Sequence, residues 1–120
     1  MPEPTLVVLR CADLDRSRAF YEALGFGFVR ERHGSGPEHL AAVTRSGLVV
    51  ELYPATGGTE VGRGTVGDVR LGFDVDSLND VVTALADAGF LDTPPPDGTV
   101  VVTDPDGRRI QLSGARVTRP

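Results

Sequence analysis

Apolar and polar positions alternate along this chain in an order that occurs twice. In residues 13–26, Asp-Leu-Asp-Arg-Ser-Arg-Ala-Phe-Tyr-Glu-Ala-Leu-Gly-Phe, the spacing of Leu14, Phe20, Ala23 and Leu24 predicts an amphipathic helix. Asp13 suits its N-cap, Asp15 sits in the first turn where the helix dipole favours an acid, and Gly25 fits the left-handed closing position. Residues 76–90 repeat the device, with Leu78, Val81, Val82 and Leu85 as the apolar face, Asp76 as cap and Gly89 as stop. An apolar strand precedes each helix, at 5–11 and 68–75, and another ends each copy, at 48–53 and 109–113.

The intervening patterns complete each half. Strands are predicted at 26–32 and 38–44, joined by the turn His33-Gly34-Ser35-Gly36-Pro37, with a Ser46-Gly47 turn before the next strand. In the second half, prolines make 93–96 a rigid extended segment, and 99–103 and 108–113 form a hairpin around Asp104-Pro105-Asp106-Gly107. A short strand is expected between Gly89 and the prolines. Residues 54–67, with five glycines and no strong periodicity, read as a linker. The fold expected is α+β: one domain of two βαβββ modules, 5–53 and 68–114, forming a curved eight-stranded mixed sheet around a cleft with the helices outside.

Composition narrows the function. At 120 residues the chain is one domain with room for a real core. A formal net charge of −5 argues against a nucleic-acid partner, which calls for a basic stripe. No stretch reaches the roughly 18 apolar residues of a membrane helix, and no secretory signal is visible, so a cytoplasmic protein is expected. Cys11, the single cysteine, lies in an apolar strand and reads as a buried, inert thiol.

Residues 13–26 resemble the first-helix signature of the vicinal oxygen chelate superfamily, which includes glyoxalases, extradiol dioxygenases and bleomycin-resistance proteins. Residues 104–112, Asp-Pro-Asp-Gly-Arg-Arg-Ile-Gln-Leu, are similar to its closing hairpin. The resemblance covers nearly the whole chain, and it implies four inward positions that hold a divalent ion in metal-dependent members. Carried over by motif, those positions are Leu6, Glu51, Arg70 and Gln111. Leu6 has no donor atom, Arg70 stays protonated and repels a cation, and Gln111 offers only a weak carbonyl oxygen. Only Glu51 suits a metal, so no metal and no cofactor is expected there. His33 and His39 flank the turn between the second and third strands and can approach each other across it; the expectation preferred is exposed or hydrogen-bonded loop histidines.

Alternation along a strand carries the four positions to their neighbours on the same face. The ligand-binding surface expected is Leu6, Val8, Arg10, Val49, Glu51, Tyr53, Arg70, Asp74, Arg109 and Gln111. Glu51 with Arg70, and Arg10 with Asp74, are the expected ion pairs, since buried charges need partners. Tyr53, Phe28 and Phe73 are candidates for aromatic surface, although alternation turns Phe73 toward the helices.

Three functions fit. A metal-free binding protein would sequester a small organic ligand, an antibiotic or a metabolite, in a role such as self-resistance, and the resemblance implies a homodimer with two grooves. An enzyme of the glyoxalase, dioxygenase or isomerase kind would use Glu51 as metal ligand or general base, with Arg70 or Arg10 polarising a carbonyl. A partner-binding module would show a cavity collapsed onto apolar side chains.

Overall fold

The computed structural model describes residues 1–55, 69–92 and 100–114. The elements are β1 (Leu6–Cys11), α1 (Leu14–Ala23), β2 (Val29–Glu31), β3 (His39–Val43), β4 (Val49–Pro54), β5 (Arg70–Val75), α2 (Leu78–Asp87), β6 (Val100–Thr103) and β7 (Arg109–Gly114).

Both helices form where the pattern places them. The Asp13 carboxylate accepts from the Arg16 amide at 3.0 Å and closes the first turn of α1. Gly25 then takes φ +112°, a conformation a Cβ would strain. In α2 the cap is Ser77 rather than Asp76: the Ser77 Oγ accepts from the Asp80 amide at 3.2 Å. Asp76 instead accepts from Arg45 at 3.2 Å, with both side chains exposed. A serine one residue later offers the same capping chemistry, so composition alone did not separate the two.

Among the described residues the strands form two sheets. The larger has the order β1-β4-β3-β2 and the smaller β5-β7-β6. In each, the first strand pairs in parallel with the last of its half, β1 with β4 and β5 with β7, and the remaining pairings are antiparallel. The architecture is therefore α+β with four and three strands among the described residues. The strand expected after Gly89 does not begin in residues 90–92, and residues 93–99 lie outside the described part. The 54–67 linker lies outside it too, except for residues 54 and 55, of which Pro54 ends β4.

One face of each sheet is buried under the helices. Leu9, Val50, Leu52 and Leu40 of the large sheet pack with Phe20, Tyr21 and Leu24, in one cluster with Ile110, Leu112, Val81 and Leu85 of the second half. Phe28 is in this core, stacked near Phe26, and Phe73 meets Phe26 edge-on, so neither supplies surface to the open face. Cys11 is fully buried, and burial raises its thiol pKa, which keeps it unreactive. Among the described residues no helix is long and apolar enough to cross a membrane.

A polar network ties the two halves together. The Tyr21 hydroxyl donates to Asp104 at 2.6 Å, and the Arg108 guanidinium bridges Asp104 at 3.0 Å and Asp106 at 3.3 Å. Asp106 also accepts from the Ala12 amide at 3.0 Å, and Arg108 donates to the carbonyl of Arg10. The closing turn of the second half is thus bonded to the end of β1 and to α1.

Candidate functional site

The strand registers arrange the opposite, uncovered face of the large sheet into cross-strand rows. One row is Arg10, Tyr53, His39 and Glu31; the next is Val8, Glu51, Ala41 and Val29; a third is Leu6, Val49 and Val43. Side chains paired across strands point to the same side. Leu6, Val8, Val29 and Val43 are 54, 41, 60 and 71% exposed, an apolar surface around the Glu51 carboxylate, with Glu31 in the first row.

The first row is a stack. The Arg10 guanidinium lies over the Tyr53 ring at 4.9 Å. Tyr53 stacks on His39 at 4.1 Å between ring centres, only 9° from parallel, and His39 stacks on His33 at 5.0 Å. His39 is 1% exposed despite lying on the open face, because these rings cover it. Its Nδ1 faces the Pro37 carbonyl oxygen at 3.3 Å. A carbonyl only accepts, so Nδ1 carries the proton there and Nε2 is directed away. Nε2 meets Glu51 at 3.3 Å, Glu31 at 3.5 Å and the Tyr53 hydroxyl at 3.4 Å. His33 Nε2 reaches the same Glu31 carboxylate at 3.5 Å.

The small sheet presents its own uncovered face. Arg70 and Arg109 are directly opposite each other, as are Gly72 and Gln111, and Asp74 and Ser113. Arg70 donates to Gln111 at 3.4 Å, and Ser113 donates to Asp74 at 3.2 Å. Two guanidinium groups opposed on neighbouring strands repel each other and favour an anionic group nearby. A groove of about 610 Å³ lies between the halves, lined by Leu24–Gly27, Ala42–Ser46 and Gly72–Asp76, at the other end of β3 from His39.

The ten residues read from the sequence as the ligand surface fall on these two faces. The expected ion pairs do not form within the chain among the described residues: Glu51 meets His39 instead of Arg70, and Arg10 covers Tyr53 instead of meeting Asp74. The reason is the separation of the sheets: β1 pairs with β4 and β5 with β7, and the two sheets share no pairing among the described residues. His33 is exposed and His39 hydrogen-bonded, as expected, but His39 is the buried first residue of β3 and not a loop residue, and Glu31 was not singled out. A hairpin centred on Ser35 places residues 31 and 39 opposite each other, which is the signal that would have joined them.

The four positions implied by the family do not suit a divalent ion. Leu6 is an exposed hydrocarbon, and Arg70 bonds to Gln111, putting a fixed cation where two ligands would be needed.

A family model described as Glyoxalase/Bleomycin resistance protein/Dioxygenase superfamily matches residues 5–112. No curated protein matches the chain. Among solved structures, the chain is similar to a glyoxylase/bleomycin resistance protein/dioxygenase domain from Frankia sp. EAN1pec, at 26% identity and TM-score 0.69, covering 99% of this chain and 95% of that one. It is similar to TnmS3, an antibiotic binding protein from Streptomyces sp. CB03234, at 20% identity and TM-score 0.66, over 95 and 96% of the two chains. It is also similar to the oxidase ChaP-H2, at 14% identity and TM-score 0.62, over 99 and 94%.

Proposed function

The chain belongs to the Glyoxalase/Bleomycin resistance protein/Dioxygenase superfamily, and from that premise we propose that it is a cytoplasmic small-molecule-binding protein with no metal at the family's four positions. The observation that carries this reading is the uncovered face of the large sheet, apolar around Glu51 and edged by the Arg10–Tyr53 stack. Exposed apolar surface of this kind marks a place where a ligand or partner sits. The ligand class is an organic molecule with an apolar body and polar groups, an antibiotic or a metabolite, bound for sequestration or self-resistance. TnmS3 supports the class, being an antibiotic binding protein of the same fold.

In this reading two chains pair. The four-stranded sheet of one module faces the second module of the partner, and together they make a curved mixed sheet around a cleft. Glu51 then meets Arg70 across subunits, and Arg109 lies beside them. Neither nucleic acid nor membrane is a partner.

The test is a thermal-shift screen of natural products at fixed protein concentration. A ligand at 100 times its Kd stabilises the native state by about 2.7 kcal/mol. The expected result is such a shift for at least one compound, abolished by Tyr53→Ala; no shift across the panel counts against the reading.

The contact of Glu51 with the His39 imidazole favours a second reading, an enzyme in which this carboxylate and imidazole exchange a proton with substrate. Any turnover found should fall at least about 100-fold in Glu51→Gln, and unchanged turnover would remove Glu51 from the chemistry.

A further inference from the structure

We propose that Glu31, His33, His39 and Glu51 form a binding site for one first-row divalent transition ion such as Zn²⁺, sharing only Glu51 with the four family positions. Each residue offers one ligand atom, and the four atoms lie within 4.8 Å of one another. They come from β2, the turn after it, β3 and β4, so the site exists only once the sheet is registered.

Three features make this a metal site and not a cluster of chance charges. The first is spacing. A tetrahedral ion with nitrogen and oxygen ligands at about 2.0–2.1 Å separates its ligand atoms by about 3.3–3.4 Å. The contacts of His39 Nε2 with Glu51 and Glu31 are 3.3 and 3.5 Å, and that of His33 Nε2 with Glu31 is 3.5 Å. The second is orientation. The Pro37 carbonyl fixes the proton on His39 Nδ1 and points the Nε2 lone pair at two carboxylates, the outer hydrogen bond that metal-bound histidines characteristically make. In the neutral imidazole that lone pair, which the Tyr53 hydroxyl also approaches at 3.4 Å, and the two carboxylates form a donor set that a cation would complete. The third is access. His39 is buried, whereas His33 and Glu31 lie at the solvent edge, giving a seated ligand and an entry path. Two imidazoles and two carboxylates suit Zn²⁺, Ni²⁺ or Fe²⁺ better than Mg²⁺ or Ca²⁺, which prefer all-oxygen sets.

This inference does not rest on the proposed organic ligand, because the ion is tested alone. Untagged protein stripped with chelator is titrated calorimetrically with Zn²⁺, and its Co²⁺ form is examined for the visible absorption of a four-coordinate ion. The expected result is one ion per chain, with affinity lowered at least about tenfold in each of His33→Ala and Glu31→Gln. Both are rim residues whose loss leaves the core intact, so the metal-free variants should melt like the parent. No binding by the parent protein, or undiminished binding by both variants, overturns the site.

Discussion

At the scale of single residues, the chemistry divides into a buried polar network and an open stack. Asp104 is enclosed in the first, bonded to Tyr21 and Arg108. Burial, reinforced by the neighbouring Asp104 charge and hydrogen bond, raises the Tyr21 pKa far above its ordinary value. Burial also works against the charge of Arg108, but the hydrogen bond and charge of Asp104 outweigh it and raise that pKa too. A raised tyrosine pKa means the native state keeps a proton that the unfolded chain gives up above pH of about 10. The contribution is complete below that pH and is lost as pH rises past it, by up to about 1.4 kcal/mol per unit. Cys11, raised in the same direction by burial, adds to the loss from pH of about 8.5. Urea unfolding between pH 9 and 11 should therefore show falling stability, with a shallower slope in Tyr21→Phe; an equal slope would mean that Tyr21 ionises freely in the folded protein. Asp104→Asn should cost about 3–5 kcal/mol, because it removes the charge paired with Arg108, whose side chain is only 12% exposed.

At the scale of elements, the helix ends and the strand spacing make sharper claims. Ser77→Ala should destabilise the protein by about 1 kcal/mol, while Asp76→Ala should be nearly neutral, a contrast readable from two melting curves. Equal effects would return the cap to Asp76. In β7, a Cβ added at Gly114 would lie 2.5 Å from the Val75 carbonyl oxygen on the paired strand. Gly114→Ala should then cost about 1–3 kcal/mol by forcing the end of β7 away from β5, and a melting temperature matching the parent would show that the strands separate there easily. These two cases show where pattern reading succeeds and stops. Helical spacing located α1 and α2, and the closing glycines Gly25 and Gly89 both take positive φ. The cap one residue late, and the close approach at Gly114, depend on packing that no local pattern encodes.

At the scale of the whole molecule, one core serves both halves, but among the described residues the two sheets share no strand pairing. Each sheet therefore leaves its outer face open, and the proposed dimer is the arrangement that closes these faces on each other. Replacing Val8, 41% exposed on the open face, with lysine should leave the subunit's stability within about 0.5 kcal/mol. It should also shift a homodimer toward monomer in sedimentation analysis and weaken ligand binding. A parent protein that is monomeric at all concentrations would remove the paired-module cleft.

The chain by itself determined which residues could face together, because strand alternation and helical spacing are local and need no partner. Alternation groups Leu6, Val8 and Arg10 in one strand and Glu51 and Tyr53 in another; the family resemblance put the two groups on one face, and the registers of β1 and β4 agree. It also determined, from side-chain chemistry alone, that Leu6 and Arg70 could not serve a metal. Only tertiary structure decided which charges meet. Glu51 and Arg70 attract wherever they approach, but separate sheets keep them apart in one chain, and the β2–β3 hairpin delivers His39 and Glu31 to Glu51 instead. Contacts between strands distant in sequence follow from register and sheet order, and a one-residue shift in either would have turned His39 toward the core and dissolved the cluster.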